Sequence, residues 1–227
     1  MNEAELHPVL RQSLFITGTD TEVGKTTVAT ALLRSLARTG LRAAGMKPVA
    51  AGAAMTSHGW RNDDALDLAA ASNVQLPYAL LNPCCLPTPT SPHLAAEDAG
   101  VVIEIAPIVA AFEQIKKLSD LVIVEGAGGW LAPIGGSQAG DGDKTMQDVA
   151  VALGLPVVLV VGLRLGCLNH ALLTAAAIER SGLVFAGWIA NPIDPHFPET
   201  ERYVDSLAAR LVAPLVWRAP QGILPGQ

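Results

Sequence analysis

The segment "GTDTEVGKTT", residues 18–27, combines residue types that can bind a chain of phosphates. It follows the apolar run "SLFIT" and precedes a stretch of helix-forming residues. A glycine-bearing turn between a strand and a helix presents free backbone N–H groups to an anion. Gly24 would let the backbone approach closely, Lys25 would reach the terminal phosphates, and the Thr26 hydroxyl would ligate Mg²⁺. The segment therefore predicts a phosphate-binding loop.

This loop is one residue longer than the standard pattern, because five residues separate Gly18 from Gly24. The extra residue should widen the loop and bring Thr21 and Glu22 near the terminal phosphate. Switch ATPases of the partitioning class carry a second lysine early in this loop, where the present sequence has threonine and aspartate. The difference argues against such a switch.

Three more charged residues stand at points where a parallel sheet would bring them to the same edge. Lys47 precedes a proline at a strand end and could neutralise charge on a transferring phosphoryl group. Asp64 lies at a helix start and could bind Mg²⁺, although an isolated acidic residue there more often only favours the helix. Glu125 is the strongest candidate, because a carboxylate that ends the buried run "VIVE" has little structural purpose. With Thr26 and Asp64 it would complete a Mg²⁺ shell.

A second anion pocket is predicted where "GLRLGCLNHALL" starts a helix after an apolar strand. Cys167, Leu168 and Asn169 would supply its backbone N–H groups. Cys167 could also act as a nucleophile, but the sequence offers no identifiable base for it. His170 is more simply explained as a capping or packing residue.

Strand and helix patterns alternate along the chain, which predicts an α/β fold with a mostly parallel sheet and helices on both faces. With the phosphate-binding loop, this pattern is typical of a single P-loop NTPase-type domain over residues 1–227, of which residues 1–12 are expected to be a flexible tail. Residues 76–92 are predicted to be an ordered connection, and the glycine-rich residues 134–144 a mobile loop. Ligands of such sheets bind beyond the carboxyl ends of the strands.

Composition narrows the classes of function. The formal net charge is −6 and basic residues form no run, so a nucleic-acid surface is not expected. No apolar run is long enough for a membrane span, and the N-terminus has no signal-peptide core. Three cysteines without a pairing or zinc pattern are typical of reduced thiols in a cytoplasmic protein.

Taken together, the motifs resemble the dethiobiotin synthetase family of biotin biosynthesis. The resemblance rests on "GTDTEVGKT", "KPVAAG", "RNDDALDL", "PTSPH", "VEGAGGW", "LGCLNHALLT" and "GWIAN", in that order, and extends from Phe15 to Gln221. It implies that CO₂ adds to an amine of 7,8-diaminononanoate to give a carbamate, which ATP phosphorylates. The second amine then attacks the mixed carbamic–phosphoric anhydride and closes the ureido ring, with release of ADP and phosphate.

The resemblance also implies roles for individual residues. Lys47, Lys25 and Thr21 would be catalytic, and Thr26, Asp64 and Glu125 would hold Mg²⁺. The ATP-binding residues would be Glu22, Val23, Gly24, Lys25, Thr26, Thr27, Asp64, Glu125, Gly126, Ala127, Gly128, Asn191, Pro192, Ala219, Pro220 and Gln221. Among these, Asn191 would read the adenine edge and residues 219–221 would close over the base.

The family is homodimeric, with the substrate near the subunit interface, where Lys47 and the partner's helix start at 167–169 would contact it. Family members often have a hydroxyl residue where this chain has Ala51. Two alternatives remain at this point. One is a switch-type P-loop ATPase of the partitioning class; the other is a related corrinoid amidating ligase, whose usual glutaminase domain has no room here.

Overall fold

The structure is a computed structural model that describes residues 6–135 and 144–220. In chain order its elements are β1 (Leu14–Gly18), α1 (Lys25–Arg38), β2 (Ala43–Met46), β3 (Val49–Ala51), β4 (Ala54–Thr56), β5 (Gly59–Arg61), α2 (Asp63–Ala71), α3 (Tyr78–Leu81), β6 (Cys84–Leu86), α4 (Pro92–Ala99), α5 (Ile105–Leu118), β7 (Leu121–Glu125), α6 (Met146–Leu153), β8 (Val157–Gly162), α7 (Cys167–Arg180), β9 (Phe185–Asn191), α8 (Thr200–Ala208) and β10 (Leu215–Arg218).

Six strands form one sheet in the order β10-β9-β8-β1-β7-β2, and every neighbouring pair is parallel. The chain adds β2 and β7 on one side of β1 and then crosses to β8 on the other side. Strand order therefore reverses at β1, which is the position where ligands bind in open parallel sheets. The α/β fold class and the largely parallel sheet predicted from the sequence are confirmed.

Both faces of this sheet are buried, which explains its nearly continuous apolar strands. Alternate residues of each strand point to opposite faces, so the core divides into two clusters. One cluster packs against α1 and α2, and the other against α5, α6, α7 and α8. Helices thus cover both faces, as the sequence predicted.

Two small sheets extend the fold beside the carboxyl edge of β2. Strands β3 and β6 pair in parallel, and β4 and β5 form an antiparallel hairpin. The predicted second strand, "LRAAGMKPV", is therefore two strands, since the chain leaves the main sheet after Met46 and pairs elsewhere from Val49. The predicted connection over residues 76–92 contains α3 and β6.

The N-terminal segment differs from the expected flexible tail over the part that the structure describes. Pro8–Leu10 form one 3₁₀ turn, and the side chains of Leu6 and Leu10 are buried in the core cluster next to α1. Residues 136–143, most of the predicted 134–144 loop, lie outside the described residues. Within the described ranges, every helix is too short or too polar to span a membrane.

Candidate active site

The predicted phosphate loop connects β1 to α1 and has the backbone shape that its glycines require. Gly24 adopts a left-handed conformation with φ of 85°, and a Cβ there would collide with the side-chain amide of Asn191. That amide donates a hydrogen bond to the Val23 carbonyl oxygen at 2.8 Å. Glu22 also has positive φ, at 59°, a conformation uncommon outside glycine. The loop is therefore held in one shape at the point where α1 begins.

Three charged side chains meet beside this loop, although they come from three separate elements. Lys47 Nζ lies 2.6 Å from Glu125 Oε1 and 2.8 Å from Asp64 Oδ2. Thr26, in the first turn of α1, donates its hydroxyl to the same Glu125 oxygen at 2.8 Å. Lys47 and Glu125 are buried, whereas the Asp64 side chain is 46% exposed. The parallel sheet thus brings together the residues that the sequence assigned to one edge.

The charges of this cluster depend on its burial and on each other. Burial opposes the charge on Lys47, but the two carboxylates outweigh it and raise the pKa of Lys47. Desolvation also opposes ionisation of Asp64, yet the Lys47 ammonium prevails and lowers the pKa of Asp64. Complete burial raises the pKa of Glu125 despite its contact with Lys47. Glu125 is consequently the carboxyl group whose ionised form would gain most from another cation.

Lys25 stands close to the same cluster but is held differently. Its ammonium donates a hydrogen bond to the Asp20 carbonyl oxygen at 2.8 Å. Burial, assisted by repulsion from Lys47, lowers the pKa of Lys25 to about 8. A ligand with several negative charges would offset both effects, which makes this lysine suited to a phosphate chain.

The oxygen atoms of the cluster fit a magnesium ion. Glu125 Oε2 is buried and has no hydrogen-bond partner within residues 6–135 and 144–220. Mg²⁺ usually takes one or two carboxylates and completes its shell with phosphate oxygens and water. Among the described residues, no group of three or more His, Cys, Asp and Glu side chains could hold a metal by itself. Two carboxylates and the Thr26 hydroxyl would need the phosphates of a nucleotide to complete the shell.

A cavity of about 740 Å³ opens over this cluster. Its lining includes many of the predicted site residues, and they are Thr21, Glu22, Gly24, Lys25, Thr26, Lys47, Asp64, Glu125, Ala127 and Gly128. Its lining also includes Ala51 and residues 89–92, which lead into α4. This volume lies within the range of about 300–1,000 Å³ that is typical of small-ligand pockets.

The other predicted residues that the structure describes do not line this cavity. Asn191 ends β9 and supports the loop through Val23, and Ala219 follows β10, where its N–H donates to the Ala190 carbonyl oxygen at 2.9 Å. Gln221 lies outside the described residues. The residues of the helix start at 167–169 are not part of the cavity lining.

A nucleophilic role for Cys167 has no support in its surroundings. The side chain is buried, and desolvation raises the pKa of its thiol. The three cysteines are unpaired, and burial raises the pKa of Cys84 to about 11.

Sequence reasoning missed several polar residues that hold this site in place. Asp20 pairs with Arg164 at 2.7 Å and so connects the phosphate loop to the segment that precedes α7. Asn62 caps α2, because its side chain accepts a hydrogen bond from the Ala65 N–H. An Asn before two acidic residues is a helix-start signal, so this cap could have been found from the sequence. The Asp20–Arg164 pair spans 144 positions and has no local signal.

Comparison with known proteins identifies relatives over almost the whole chain. The model of the AAA domain family matches residues 12–217. The chain is 51% identical over 208 residues to the ATP-dependent dethiobiotin synthetase BioD of Xanthomonas axonopodis pv. citri, covering 92% of this chain and 90% of the relative. The corresponding protein of Xanthomonas oryzae pv. oryzae is 50% identical over the same shares.

Solved structures show the same fold at much lower identity. The cell division protein MinD of Aquifex aeolicus, in its complex with MinC, matches with a TM-score of 0.56 and 18% identity over 92% of this chain and 81% of that one. The 54 kDa signal recognition particle protein of Aeropyrum pernix matches with a TM-score of 0.51 and 16% identity, covering 96% and 43%. These likenesses show a P-loop NTPase fold alone.

The identity to the synthetases extends over more than two thirds of the chain and of each relative, so it decides between the alternatives that the sequence left open. The chain belongs to the family of ATP-dependent dethiobiotin synthetases, which are ligases of biotin biosynthesis.

Proposed function

We propose that the cavity over Lys47 is where this chain converts 7,8-diaminononanoate, CO₂ and ATP into dethiobiotin. In the proposed sequence, one amine nitrogen bonds to the carbon of CO₂ and gives a carbamate. A carbamate oxygen then bonds to the terminal phosphorus of ATP while the bond to ADP breaks. The second amine attacks the carbamoyl carbon, phosphate leaves, and the five-membered urea ring closes.

The convergence of two lysines, Lys25 at the start of α1 and Lys47 just after β2, carries this proposal. Lys25 and Lys47 both line the cavity, and both are buried. Phosphoryl transfer depends mainly on positioning and on neutralising charge at the transferred group, and a dry site strengthens such effects. A buried ammonium on each side of the terminal phosphate would supply that neutralisation.

Lys47 is engaged by Asp64 and Glu125. We propose that a bound carbamate and phosphate chain attract the Lys47 ammonium, while Thr26, Asp64 and Glu125 hold a Mg²⁺ ion. When bound, the metal would add positive charge against the phosphate oxygens. Glu125 Oε2, which has no hydrogen-bond partner in the part of the chain that the structure describes, supports this assignment. Lys25 would exchange the Asp20 carbonyl oxygen for a phosphate oxygen.

The rest of the nucleotide would follow the loop. Residues 22–27 would surround the phosphates, and Gly126–Gly128 would lie beside them. Asn191 and Pro192 would meet the adenine, with residues 219–221 over the base. Because the Asn191 amide is already bonded to Val23, it would link recognition of the base to the shape of the loop.

We further propose that the enzyme is a homodimer in which Cys167–Asn169 of one subunit receive the substrate carboxylate bound in the other. A helix start stabilises a carboxylate through its backbone N–H groups, independently of the net charge of the chain. Two observations support the pairing. This helix start does not line the cavity of its own chain. Leu165, just before α7, and Leu172 and Leu173, within it, are exposed.

The function is tested by incubating the protein with diaminononanoate, bicarbonate and Mg-ATP and measuring both ADP and the cyclic urea by mass spectrometry. We expect one ADP for each urea formed, and little ADP when either the diamine or bicarbonate is omitted. ADP formation at the full rate without the diamine would contradict the proposal and favour a nucleotide switch.

The shared site is tested by mixing two inactive variants, Lys47→Ala and Asn169→Asp. Only a heterodimer combines an intact lysine from one subunit with an intact helix start from the other. Random reassociation should therefore restore about a quarter of wild-type activity. A mixture that stays inactive while light scattering shows exchanged dimers would contradict the shared site.

We place the reaction in the cytoplasm, a setting that three unpaired cysteines support. Recovery of the native chain mainly from a secreted fraction would contradict this location.

A further inference from the structure

Lys47 occupies a gap between two sheets, so its backbone has no strand partner. The main sheet ends at Met46 and the pairing of β3 begins at Val49. A buried backbone N–H or carbonyl group must still be hydrogen-bonded. The Lys47 N–H donates to the Leu81 carbonyl oxygen at 2.8 Å. Its carbonyl oxygen accepts from the side-chain amide of Asn82 at 2.7 Å.

Asn82 is only 2% exposed and uses its whole side chain in such bonds. Its Nδ2 donates both to the Lys47 carbonyl oxygen and to that of Cys84, at 2.7 and 3.1 Å. Its Oδ1 accepts from the Tyr78 hydroxyl at 3.0 Å. Since an amide buried without partners is costly, these bonds fix the side chain in one orientation.

Tyr78 extends the connection to the helix that carries Asp64. The Asn62 N–H donates to the Tyr78 hydroxyl oxygen at 2.8 Å, and Asn62 is the N-cap of α2. Asp64 follows two residues later, in the first turn of that helix. The Arg61 guanidinium lies 4.0 Å from the centre of the Tyr78 ring and holds the ring from one side.

We propose that Asn82 and Tyr78 are positioning residues for the synthetase reaction, which tie the backbone of Lys47 to the helix start that holds Asp64. The role rests on the proposed function, in which Lys47 meets the transferred phosphoryl group. Neither residue touches the reacting atoms: Asn82 acts through the Lys47 backbone, and Tyr78 acts through Asn62 and Asn82.

Strand β2 is supported by a second asparagine, which serves as a comparison within the same protein. At the opposite end of β2, the side chain of Asn73 also makes two backbone bonds, from the Ala43 N–H at 2.8 Å and to the Leu41 carbonyl oxygen at 2.9 Å. Asn73 therefore supports β2 as Asn82 supports its continuation, but it does so far from the cavity. If kcat falls only because this part of the fold is weakened, substitution of either asparagine should lower it. If Asn82 positions Lys47, only substitution of Asn82 should lower kcat.

The experiment compares Tyr78→Phe, Asn82→Ala and the control Asn73→Ala with the wild type. Urea formation is measured at a temperature where thermal unfolding shows each variant fully folded. We expect kcat to fall about tenfold for Tyr78→Phe and about a hundredfold for Asn82→Ala, because a misplacement of about 1 Å can reduce a rate by two orders of magnitude. The KM for ATP should stay within about twofold, since the phosphate loop is untouched. Asn73→Ala should keep the wild-type kcat.

Crystal structures of wild type and Tyr78→Phe supply a readout that does not depend on the reaction. We expect the Lys47–Asp64 contact, 2.8 Å in the native chain, to lengthen or break in the variant. An unchanged contact together with an unchanged kcat would overturn the positioning role. An equal loss of kcat in Asn73→Ala would overturn it as well. If wild type forms no urea, the proposed function fails, while the Lys47–Asp64 distance still decides whether Tyr78 positions the pair.

Discussion

Binding of Mg-ATP should take up protons from solution at alkaline pH, because Lys25 is only partly protonated in the free protein. Its ammonium is buried and faces Lys47, which lowers its pKa to about 8. The negative phosphates of a bound nucleotide would reverse both effects and return the pKa of Lys25 to its ordinary range or above. Nucleotide binding therefore protonates the fraction of Lys25 that was neutral in the free protein.

The size of this uptake follows from the pKa of the free protein. With a pKa of about 8, binding should take up about 0.1 proton per site at pH 7, about 0.5 at pH 8 and about 0.9 at pH 9. A phosphate monoester loses its second proton near pH 6, so the nucleotide contributes little above about pH 8. The uptake should therefore rise with pH across this window.

Isothermal titration calorimetry with a non-hydrolysable ATP analogue and Mg²⁺, in buffers that differ in ionisation enthalpy, measures this number directly. The matched control is Lys25→Arg, whose guanidinium stays protonated throughout and should show almost no uptake. Zero uptake at pH 9 in the wild type, or equal uptake in the variant, would refute the reasoning about Lys25.

The same pKa shift has a consequence for stability. Folding lowers the pKa of Lys25 from 10.5 to about 8, so its charged form opposes folding below about pH 8. This opposition is relieved as the pH rises from about 8 to 10.5, where the unfolded chain binds the additional proton. Lys25 should therefore make a contribution to the free energy of unfolding that increases with pH in this window and is absent in Lys25→Arg.

Three further predictions concern other parts of the site. Lys47→Ala should lower kcat by a factor of about 100 or more, while the Kd of Mg-ATP should change by less than about threefold. The reason is that electrostatic stabilisers of the transition state act mainly on turnover. Equal losses in kcat and in nucleotide affinity would indicate a structural lysine. Gly24→Ala should abolish detectable nucleotide binding in calorimetry, because the new methyl group displaces Asn191. The control is Gly40→Ala, which has nearly the same positive φ but open space around it. That variant should lose about 1 kcal/mol of stability and still bind the nucleotide. Ala51→Ser should lower the KM for the diamine by a factor of about 2 to 10, the value of one added hydrogen bond, and an unchanged KM would show that the substrate does not reach this side of the cavity.

Elements with a strong local pattern were predictable from the sequence. The short apolar run before the phosphate loop is typical of a strand buried on both faces, and the helix after the loop repeats apolar residues every three or four positions. Glu125 could be recognised because a carboxylate at the end of such a strand has no structural purpose. Its proximity to Lys47 followed from the rule that parallel strands end at one edge of the sheet.

The residues that hold the site side chains in place act through contacts between segments distant in sequence, so no local sequence pattern marks them. Asn82 lies 35 positions after the lysine whose carbonyl it binds, and its role arises only because the chain leaves the main sheet at Met46. The hairpin β4–β5 and the helix α4 are short and partly exposed, so periodicity gives little signal for them. The N-terminal turn was missed because two leucines, Leu6 and Leu10, anchor an otherwise polar segment to the core.

The most direct test of the account is a crystal structure of the protein with Mg²⁺, a non-hydrolysable ATP analogue, diaminononanoate and bicarbonate. We expect the terminal phosphate to lie between the ammonium groups of Lys25 and Lys47, within hydrogen-bonding distance of each, and Lys47 to have turned from its carboxylate partners toward the carbamate. A nucleotide bound elsewhere, or a Lys47 that keeps both carboxylates and stays away from the phosphate, would contradict the central claim.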